Sequence, residues 1–377
     1  MISKFKFLLI PLILILFSCD SKFIGFDDFK KRDVGNVKKI EVYFSEEDLA
    51  RLYSSVSRPE QGYVSGCAVI DKGPNQRAWM KVRGYTSRGE HPKKNFSLRL
   101  EENGKTVDYA LMHEAGTWFK NRVVMYAYNH YVYNGGSLTA APETEAVALF
   151  INDEYAGYYS KVDIYSEKSL REFKDGDRCE LFKVLISNFE NKDPSYDRTE
   201  KKIPDDKDFS SLELLINNLN RMSDKEWDEW IVRYFDIDNF IRYVVIHNFF
   251  GLEDTDTHNY YLYNYGKMMY LPWDNEEGMR IDWDLFMGNS KLMCRILSVP
   301  SVKDAYMQAM RDFVADKAFL QELKDKVNQW YRDSYLAIKN DPIYYHDIDD
   351  ATRIRDHILY FIDNRGTCPA YKKYFPD

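Results

Sequence analysis

The feature that most constrains the fold is a change of sequence pattern half-way along the chain. Stretches such as KKIEVYF (38–44), RAWMKVRG (77–84) and NFSLRL (95–100) alternate apolar and polar residues in the way that β-strands do. After residue 208, apolar residues recur at helical spacing instead. A β-rich half followed by an α-rich half predicts an α+β protein with two lobes.

The stretch between the two halves is charged, contains Pro194 and Pro204, and is the best linker in the chain. Beyond it we predict helices over about 209–221, 224–235, 237–250, 302–336 and 348–364. The predicted organisation is a signal peptide (1–18), a tether (19–36), a β-rich N-terminal lobe (37–190), a linker (191–208) and a mainly helical C-terminal lobe (209–377).

The N-terminus resembles a bacterial lipoprotein signal. Lys4 and Lys6 precede an apolar run at 7–17, which is a poor membrane span and a good secretion signal. The run ends at Cys19, which such a signal would have acylated as the mature N-terminus. An ordinary signal peptide with a chance cysteine is the alternative. We therefore predict a cell-envelope protein, periplasmic or at the cell surface, held to a membrane by its lipid anchor alone.

Composition excludes some classes of function. A net charge of -8 and a pI of about 5.5 argue against nucleic-acid binding, which usually needs a basic surface. Hydrophobic residues make up 45% of the chain, so it is globular. The later cysteines form no CxxC pair, which argues against a zinc ribbon. They are compatible with either disulfides or thiols, and they are Cys67, Cys179, Cys294 and Cys368.

The strongest candidate site is the acidic hairpin EDTDTHNYYLYNYGKMMYLPWDNEEG (253–278). A turn centred on its Tyr-Gly pair would place Asn259 opposite Pro272, with Asp274 just beyond, at the open end. Asp254 comes a few residues before the first strand. Magnesium accepts such oxygen ligands, and a carboxylate can take a proton from an attacking hydroxyl. The alternative is a solvated acidic loop, and a register slip of one residue would turn side chains away.

The order of these residues repeats that of the catalytic parts of protein kinases. In those enzymes a base aspartate is followed five residues later by a metal-binding asparagine, and a second metal-binding aspartate follows a hairpin. The chain has Asp254, Asn259 and Asp274 in this order, although the HRD and DFG motifs are absent.

A basic cluster lies in the other half of the chain. Residues 81–99 contain six Lys and Arg residues against one acid, Glu90. Gly84 and Gly89 allow tight turns between two strands. Cations and backbone N–H groups around such a loop could hold a polyphosphate, although a solvated basic hairpin is the simpler alternative. A phosphate group bridging this cluster and the acidic hairpin would account for both.

Four blocks of sequence, in this order, resemble the spore-coat CotH kinase family, a group of secreted atypical protein kinases. They are KVRGYTSRGEHPKKNFSLRL (81–100), INDEYAGYYSKVDI (151–164), ELFKV (180–184) and DTDTHNYYLYN…YLPWDNEEG (254–278). The resemblance covers about residues 38–290. It implies an atypical protein-kinase-like two-lobed fold, use of ATP with Mg or Mn, and transfer of the γ-phosphoryl group to Ser or Thr of a protein substrate outside the cytoplasm.

The resemblance also implies roles for individual residues. Asp254 would be the catalytic aspartate, with Asp256 as its rival. The metal would be held by three residues, which are Asp274, Asn259 and Glu276. The phosphates would contact three cations, which are Lys94, Arg83 and Lys183.

Two positions depart from the family pattern. Glu276 stands where the family has aspartate, and Asp163 stands where it has a glutamate that would position the phosphate-binding lysine. Both changes leave open a non-catalytic surface lipoprotein that keeps the fold for adhesion or matrix assembly.

A metal-dependent hydrolase is a third hypothesis, in which Asp254, Asp256 and His258 bind zinc or iron. A structural role is the main prediction for His258, because a strand would place it on the face opposite Asn259. His247 lies on an almost wholly apolar helix and is predicted to be a core residue. The oligomeric state is left open.

Overall fold

The computed structural model describes residues 32–54, 62–84, 92–114, 116–134, 140–185, 187, 189, 199–255, 257–286, 290–342 and 348–376. For Asp254 it describes the backbone alone. The predicted signal peptide, Cys19, the loop 85–91 and Asp256 therefore lie outside the described residues.

Seven strands form a closed barrel. They are β1 (Lys38–Tyr43), β2 (Val64–Ile70), β3 (Gln76–Arg83), β4 (Asn95–Glu102), β5 (Lys105–His113), β6 (Thr144–Ile151) and β7 (Glu154–Asp163). Their order around the barrel is β1-β2-β3-β4-β5-β7-β6. Neighbours pair antiparallel, and the parallel pairing of β1 with β6 closes the barrel.

The barrel interior explains the alternating sequence pattern. Side chains such as Ile40, Met80, Leu98 and Leu149 are completely buried in one apolar cluster inside it. The residues between them point outward, as the period of a strand requires. The α+β class is thus confirmed. Barrel closure was not predicted, and the kinase-like two-lobed arrangement stays a prediction.

A second, four-stranded sheet carries the acidic hairpin. Its strands are β8 (Glu180–Val184), β9 (Thr199–Ile203), β10 (Tyr260–Asn264) and β11 (Met268–Pro272). The order is β11-β10-β8-β9, and each pair is antiparallel. The short strand β8, which was predicted to belong with the N-terminal β-rich half, therefore pairs directly with the hairpin.

Strand β9 corrects part of the predicted linker (191–208). Thr199 and Lys201 are buried, and Glu200 and Lys202 are exposed, so the segment alternates like a strand. The sequence does not indicate that position 201 is buried, because a lysine occupies it. The amine of Lys201 is held by Asp206 at 2.8 Å and by the carbonyl of Asp208 at 2.6 Å.

The described helices are α1 (Glu46–Ser54), α2 (Lys120–His130), α3 (Glu167–Phe173), α4 (Ser210–Arg221), α5 (Asp224–Tyr234), α6 (Ile237–Phe250), α7 (Lys291–Leu297), α8 (Pro300–Ala315), α9 (Lys317–Lys339), α10 (Ile348–Asn364) and α11 (Pro369–Lys372). One-turn 3₁₀ helices lie at Glu253–Thr255 and Arg365–Thr367. The predicted single helix 302–336 is in fact two helices, because Asp316 ends α8 and caps the N-terminus of α9 through Phe319 N–H (2.9 Å).

Helix α6 is the centre of the larger core. Residues 239–250 are all buried, which accounts for an apolar sequence on every face. His247 is completely buried among them, as predicted. Gly251 ends the helix with φ +58, a left-handed conformation that favours glycine. Among the described residues, no helix is both long and apolar enough to cross a membrane.

The N-terminal segment corrects the predicted tether (19–36). Val34 is 1% exposed and belongs to the larger core. The side chain of Asn340 donates a hydrogen bond to the carbonyl of Asp33 (2.7 Å). Asp33 and Val34, near the end of the predicted tether, therefore contact the body of the protein, whereas residues 19–31 lie outside the described residues. The four cysteines that the structure describes, Cys67, Cys179, Cys294 and Cys368, are free thiols.

Candidate functional site

The acidic hairpin forms, but with a register one residue away from the predicted one. Tyr260, and not Asn259, lies opposite Pro272, and Asn264 lies opposite Met268. The loop between the strands therefore has three residues where the prediction had two. Gly266 permits this with φ +116, and its N–H is bound by the side chain of Asn264 (3.0 Å).

Both polar residues at the open end of the hairpin leave the strand conformation. Asn259 has φ +52 and Asp274 has φ +57, so each adopts the left-handed region that Asn and Asp tolerate. The predicted placement of His258 and Asn259 on opposite faces of a strand is wrong, because neither residue belongs to β10. The His258 Nδ1 atom instead lies 2.7 Å from the hydroxyl of Thr257.

Asp254 lies in the 3₁₀ turn Glu253–Thr255, three residues after α6 ends at Gly251. The turn is fixed by Thr255, which is completely buried and donates its hydroxyl proton to the carbonyl of Leu252 (3.3 Å). The carboxylate of Asp254 and the whole of Asp256 lie outside the described atoms. The choice between them as base therefore stays a prediction.

Two cations from different sheets meet at one aromatic ring. The guanidinium carbon of Arg83, at the end of β3, lies 5.4 Å from the Trp273 ring centroid. The Lys183 amine, in β8, lies 5.5 Å from the same centroid. Trp273 is 2% exposed and directly precedes Asp274. The structure thus brings Arg83, Lys183 and Asp274 into one site, hereafter the cation–carboxylate site.

The charges of these groups act on one another's pKa values. Burial and then the charge of Arg83 lower the pKa of Lys183 to about 8, and the negative charge of Asp274 partly opposes this. Burial lowers the pKa of Arg83, and Asp274 again opposes the change. The Nη1 atom of Arg83 is buried without a hydrogen-bond partner among the described residues. A buried cationic donor of this kind suits an incoming anion.

Glu276 joins the site from the following loop. It is partly buried and accepts a hydrogen bond from Thr117 Oγ1 at 3.3 Å. Burial raises its pKa well above the usual range, and the nearby charges of Asp274 and Glu277 raise it further. The carboxylates of Asp274 and Glu276 repel each other in a partly buried site, and a bound cation would relieve that repulsion.

The donor set fits magnesium in type, because magnesium takes one or two carboxylates together with phosphate oxygens. No three or more His, Cys, Asp or Glu side chains form a metal-binding group within the described part of the chain. The amide of Asn259 is a further oxygen ligand of a kind that magnesium accepts, and the carboxylate of Asp254 lies outside the described atoms. The metal set proposed from the sequence is therefore untested.

Lys94 differs from the other two predicted phosphate contacts. It lies just before β4 and is partly buried, and that burial lowers its pKa. Its backbone carbonyl accepts a hydrogen bond from the hydroxyl of Tyr159 (3.0 Å).

Asp163 does not take the positioning role that the resemblance suggests. Its carboxylate is 46% exposed and lies 3.7 Å from the amine of Lys161, two residues away on β7. Glu114 is a buried acid near the site, and its carboxylate pairs with Arg122 at 3.3 Å.

Sequence reasoning missed Glu114, Arg122, Asn121 and Asn275. Asn121, on α2, accepts a hydrogen bond from the N–H of Asn275 (3.0 Å), the residue after Asp274. This bond joins residues 154 positions apart, so no local pattern indicates it. A signal was available in the polar run KNR (120–122), which directly precedes the apolar residues VVMYAY of the same helix.

Comparison with known proteins decides the family. The family model described as CotH kinase protein matches residues 80–368. The chain belongs to the CotH kinase protein family. The matched region begins within β3 and contains every residue that the sequence analysis assigned to the site. It leaves β1 and β2 of the barrel outside the matched part of this CotH family member.

A spore coat protein and some solved structures resemble this CotH protein to different degrees. The inner spore coat protein H of Bacillus subtilis (strain 168) is 23% identical over 249 residues, which cover 60% of this chain and 69% of the relative. Among solved structures, the FAT and kinase domain of CtTel1 has a TM-score of 0.37 and 8% identity over 80% of this chain and 22% of that chain. The complete CtTel1 dimer has a TM-score of 0.35 and 9% identity, again over 80% of this chain but 12% of that one. This chain thus spans less than a quarter of those structures, and the likeness is remote.

Proposed function

We propose that this CotH family protein is an ATP- and metal-dependent protein kinase that transfers the γ-phosphoryl group to Ser or Thr of a protein substrate. The observation that carries the proposal is the convergence of Arg83 and Lys183 on Trp273, beside Asp274. Two cations next to acidic side chains are what a triphosphate with a divalent metal requires. Family membership supports the same activity.

The proposed roles follow from charge and position. Arg83 and Lys183 orient the phosphates through charge-assisted hydrogen bonds, and Lys94 adds a contact from the start of β4. Asp254 accepts the proton of the substrate hydroxyl, with Asp256 as the alternative base. Catalysis then consists of positioning and charge stabilisation, with little covalent chemistry from the protein.

The metal, Mg²⁺ or Mn²⁺, would be held by Asp274, Glu276 and Asn259, together with phosphate oxygens. When bound, it would neutralise charge on the phosphates. The raised pKa of Glu276 supports this placement, since a cation relieves the repulsion between its carboxylate and that of Asp274.

The proposed location is the cell envelope, with a lipid anchor at Cys19 as the only membrane attachment. The support is the lipoprotein-like N-terminus and a relative whose name places it in the spore coat. The protein substrate would then meet the kinase outside the cytoplasm.

A non-catalytic surface lipoprotein is the second candidate. The observation that favours it is the ion pair of Asp163 with Lys161, because this acid then does not position a phosphate-binding lysine. Glu276 in place of the family's aspartate points the same way. Such a protein would keep the fold for adhesion or matrix assembly.

Incubation of the purified protein with γ-labelled ATP and either Mg²⁺ or Mn²⁺ separates the two candidates. The kinase incorporates label, and Asp254→Asn abolishes it because the base is lost. The matched control is Asp282→Asn, since that carboxylate is 73% exposed in the loop after the hairpin. Absence of label with every metal, together with absence of ATP binding, would support the binding protein.

A further inference from the structure

Lys93 and Asp341 form a buried ion pair between distant parts of the chain. Their side chains are 3% and 2% exposed, and the lysine amine bonds directly to Oδ2 of the aspartate. The same amine donates to the carbonyl of Tyr158 (2.7 Å), and the N–H of Tyr158 donates to the same aspartate oxygen (2.7 Å). The contact joins the residues before β4, the middle of β7 and the turn after α9.

Stability alone does not account for this pair. Removing two charges from water offsets much of their attraction, and apolar side chains of similar volume are often as stable in such a place. The pair also requires a residue without a side chain at position 157, which is a glycine. Gly157 has φ +127, and a Cβ there would lie 2.7 Å from the Asp341 carboxylate and 2.8 Å from the Lys93 amine.

The pair fixes the start of β4. Beyond Lys93 itself, the carbonyl of Lys94 is bound by the hydroxyl of Tyr159 (3.0 Å). The side chain of Asn95 is bound by the N–H of His113 (2.7 Å). Residues 93–95 are thus bonded to β5, to β7 and to the turn after α9. The backbone that carries the side chain of Lys94 is therefore held in place.

Tyr158 links the pair to the acidic side of the site. Its hydroxyl accepts from Arg122 (2.9 Å), and Arg122 is paired with Glu114. The carbonyl of Glu114 accepts a hydrogen bond from the N–H of Thr117 (3.0 Å), and the hydroxyl of Thr117 donates to Glu276 (3.3 Å). A continuous polar network therefore runs from the ion pair to the candidate metal ligands.

We propose that Lys93 and Asp341 are positioning residues for phosphoryl transfer. By fixing the start of β4 and the backbone of Tyr158, they hold Lys94 and the Glu114–Glu276 side of the site at the spacing that the phosphates need. Neither residue touches the nucleotide, and the proposal rests on the proposed kinase function.

The test replaces the pair by apolar side chains, Lys93→Met with Asp341→Leu. The unfolding midpoint in denaturant falls, because the buried N–H and carbonyl of Tyr158 lose their partners, so the kinetics are measured on protein that is fully folded. The kcat of transfer falls about tenfold to a hundredfold, as expected when reacting groups shift by a fraction of an ångström to one ångström. The dissociation constant of MgATP changes much less, because Arg83 and Lys183 are untouched. A double variant with the parent's kcat overturns the proposal.

Three further variants make the result specific. Lys93→Arg keeps the charge and the donor, and retains more kcat than Lys93→Met. Asp341→Asn keeps the size, and supplies the same kinetic comparison if the double variant does not fold. The matched control is Lys201→Met with Glu180→Leu, a buried pair (2% and 11% exposed) at the far end of the four-stranded sheet, which leaves kcat unchanged.

Amide hydrogen exchange without nucleotide separates this proposal from the proposed function. Residues 93–98 exchange faster in the double variant than in the parent under conditions in which both proteins are fully folded, and by more than the difference in global stability accounts for. Unchanged exchange at these amides overturns the positioning role, whether or not the protein is a kinase. A parent protein that neither binds ATP nor transfers phosphate overturns the proposed function, and the exchange comparison still decides whether the pair fixes β4.

Discussion

The guanidinium carbon of Arg83 lies 5.4 Å from the ring centroid of Trp273. Arg83 ends a barrel strand, whereas Trp273 follows the hairpin of the four-stranded sheet. The contact therefore brings a cation of one sheet to the residue that precedes Asp274 in the other. The indole ring is shared with Lys183, and the predictions below depend on this arrangement.

Arg83→Met should weaken MgATP binding more than Lys94→Met does. Arg83 lies against Trp273, next to Asp274, and has a buried donor without a hydrogen-bond partner among the described residues, whereas Lys94 is only partly buried and precedes β4. We expect a loss of at least about tenfold, or about 1.4 kcal/mol, for Arg83→Met. Isothermal titration calorimetry measures it. Equal effects of the two variants would contradict the assignment of Arg83 to the site.

Asp274→Asn should remove metal-dependent nucleotide binding while leaving the fold intact. Asparagine tolerates the left-handed backbone at this position (φ +57), so the change removes charge with little strain. We expect the affinity for MgATP to fall at least about tenfold, about 1.4 kcal/mol, with the unfolding midpoint unchanged. Titration with and without Mg²⁺ provides the measurement. A variant that binds MgATP like the parent would count against Asp274 as a metal ligand.

The affinity for MgATP should decrease as pH rises from 7 to 9. Burial and the charge of Arg83 lower the pKa of Lys183 to about 8, so its amine is charged below that pH and neutral above it. We expect a decrease of about threefold to tenfold across this range. In Lys183→Arg the guanidinium stays charged throughout, so that variant should show little pH dependence. The same slope in both proteins would exclude Lys183 as its origin.

Gly157→Ala should destabilise the protein more than Gly266→Ala. Both glycines have strongly positive φ (+127 and +116), so both changes cost backbone strain of about 1–3 kcal/mol. At Gly157 the new Cβ also meets Asp341 and Lys93, whereas nothing lies within 4 Å at Gly266. Overpacking of this kind adds about 1–3 kcal/mol. Equilibrium unfolding in urea gives both free energies, and equal values would refute the crowding at Gly157.

The sequence predicted the elements that depend on local pattern. Helix α6, predicted over 237–250, has these bounds in the structure, because its apolar residues and its final glycine signal both packing and termination. The hairpin was predicted from its aromatic strands and turn, and the family from four short blocks. The register was one residue off, since Asn-Tyr-Gly-Lys is compatible with loops of two or three residues.

The tertiary structure alone decided which distant residues meet. Pairing of β1 with β6 closes the barrel, Arg83 reaches Trp273, and Lys93 finds Asp341 at a separation of 248 residues. Periodicity in a sequence records which side of an element is buried, but not which other element covers that side. The partner is chosen by the packing of whole sheets and helices, so a lysine such as Lys93 reads as surface in the sequence and lies buried in the fold.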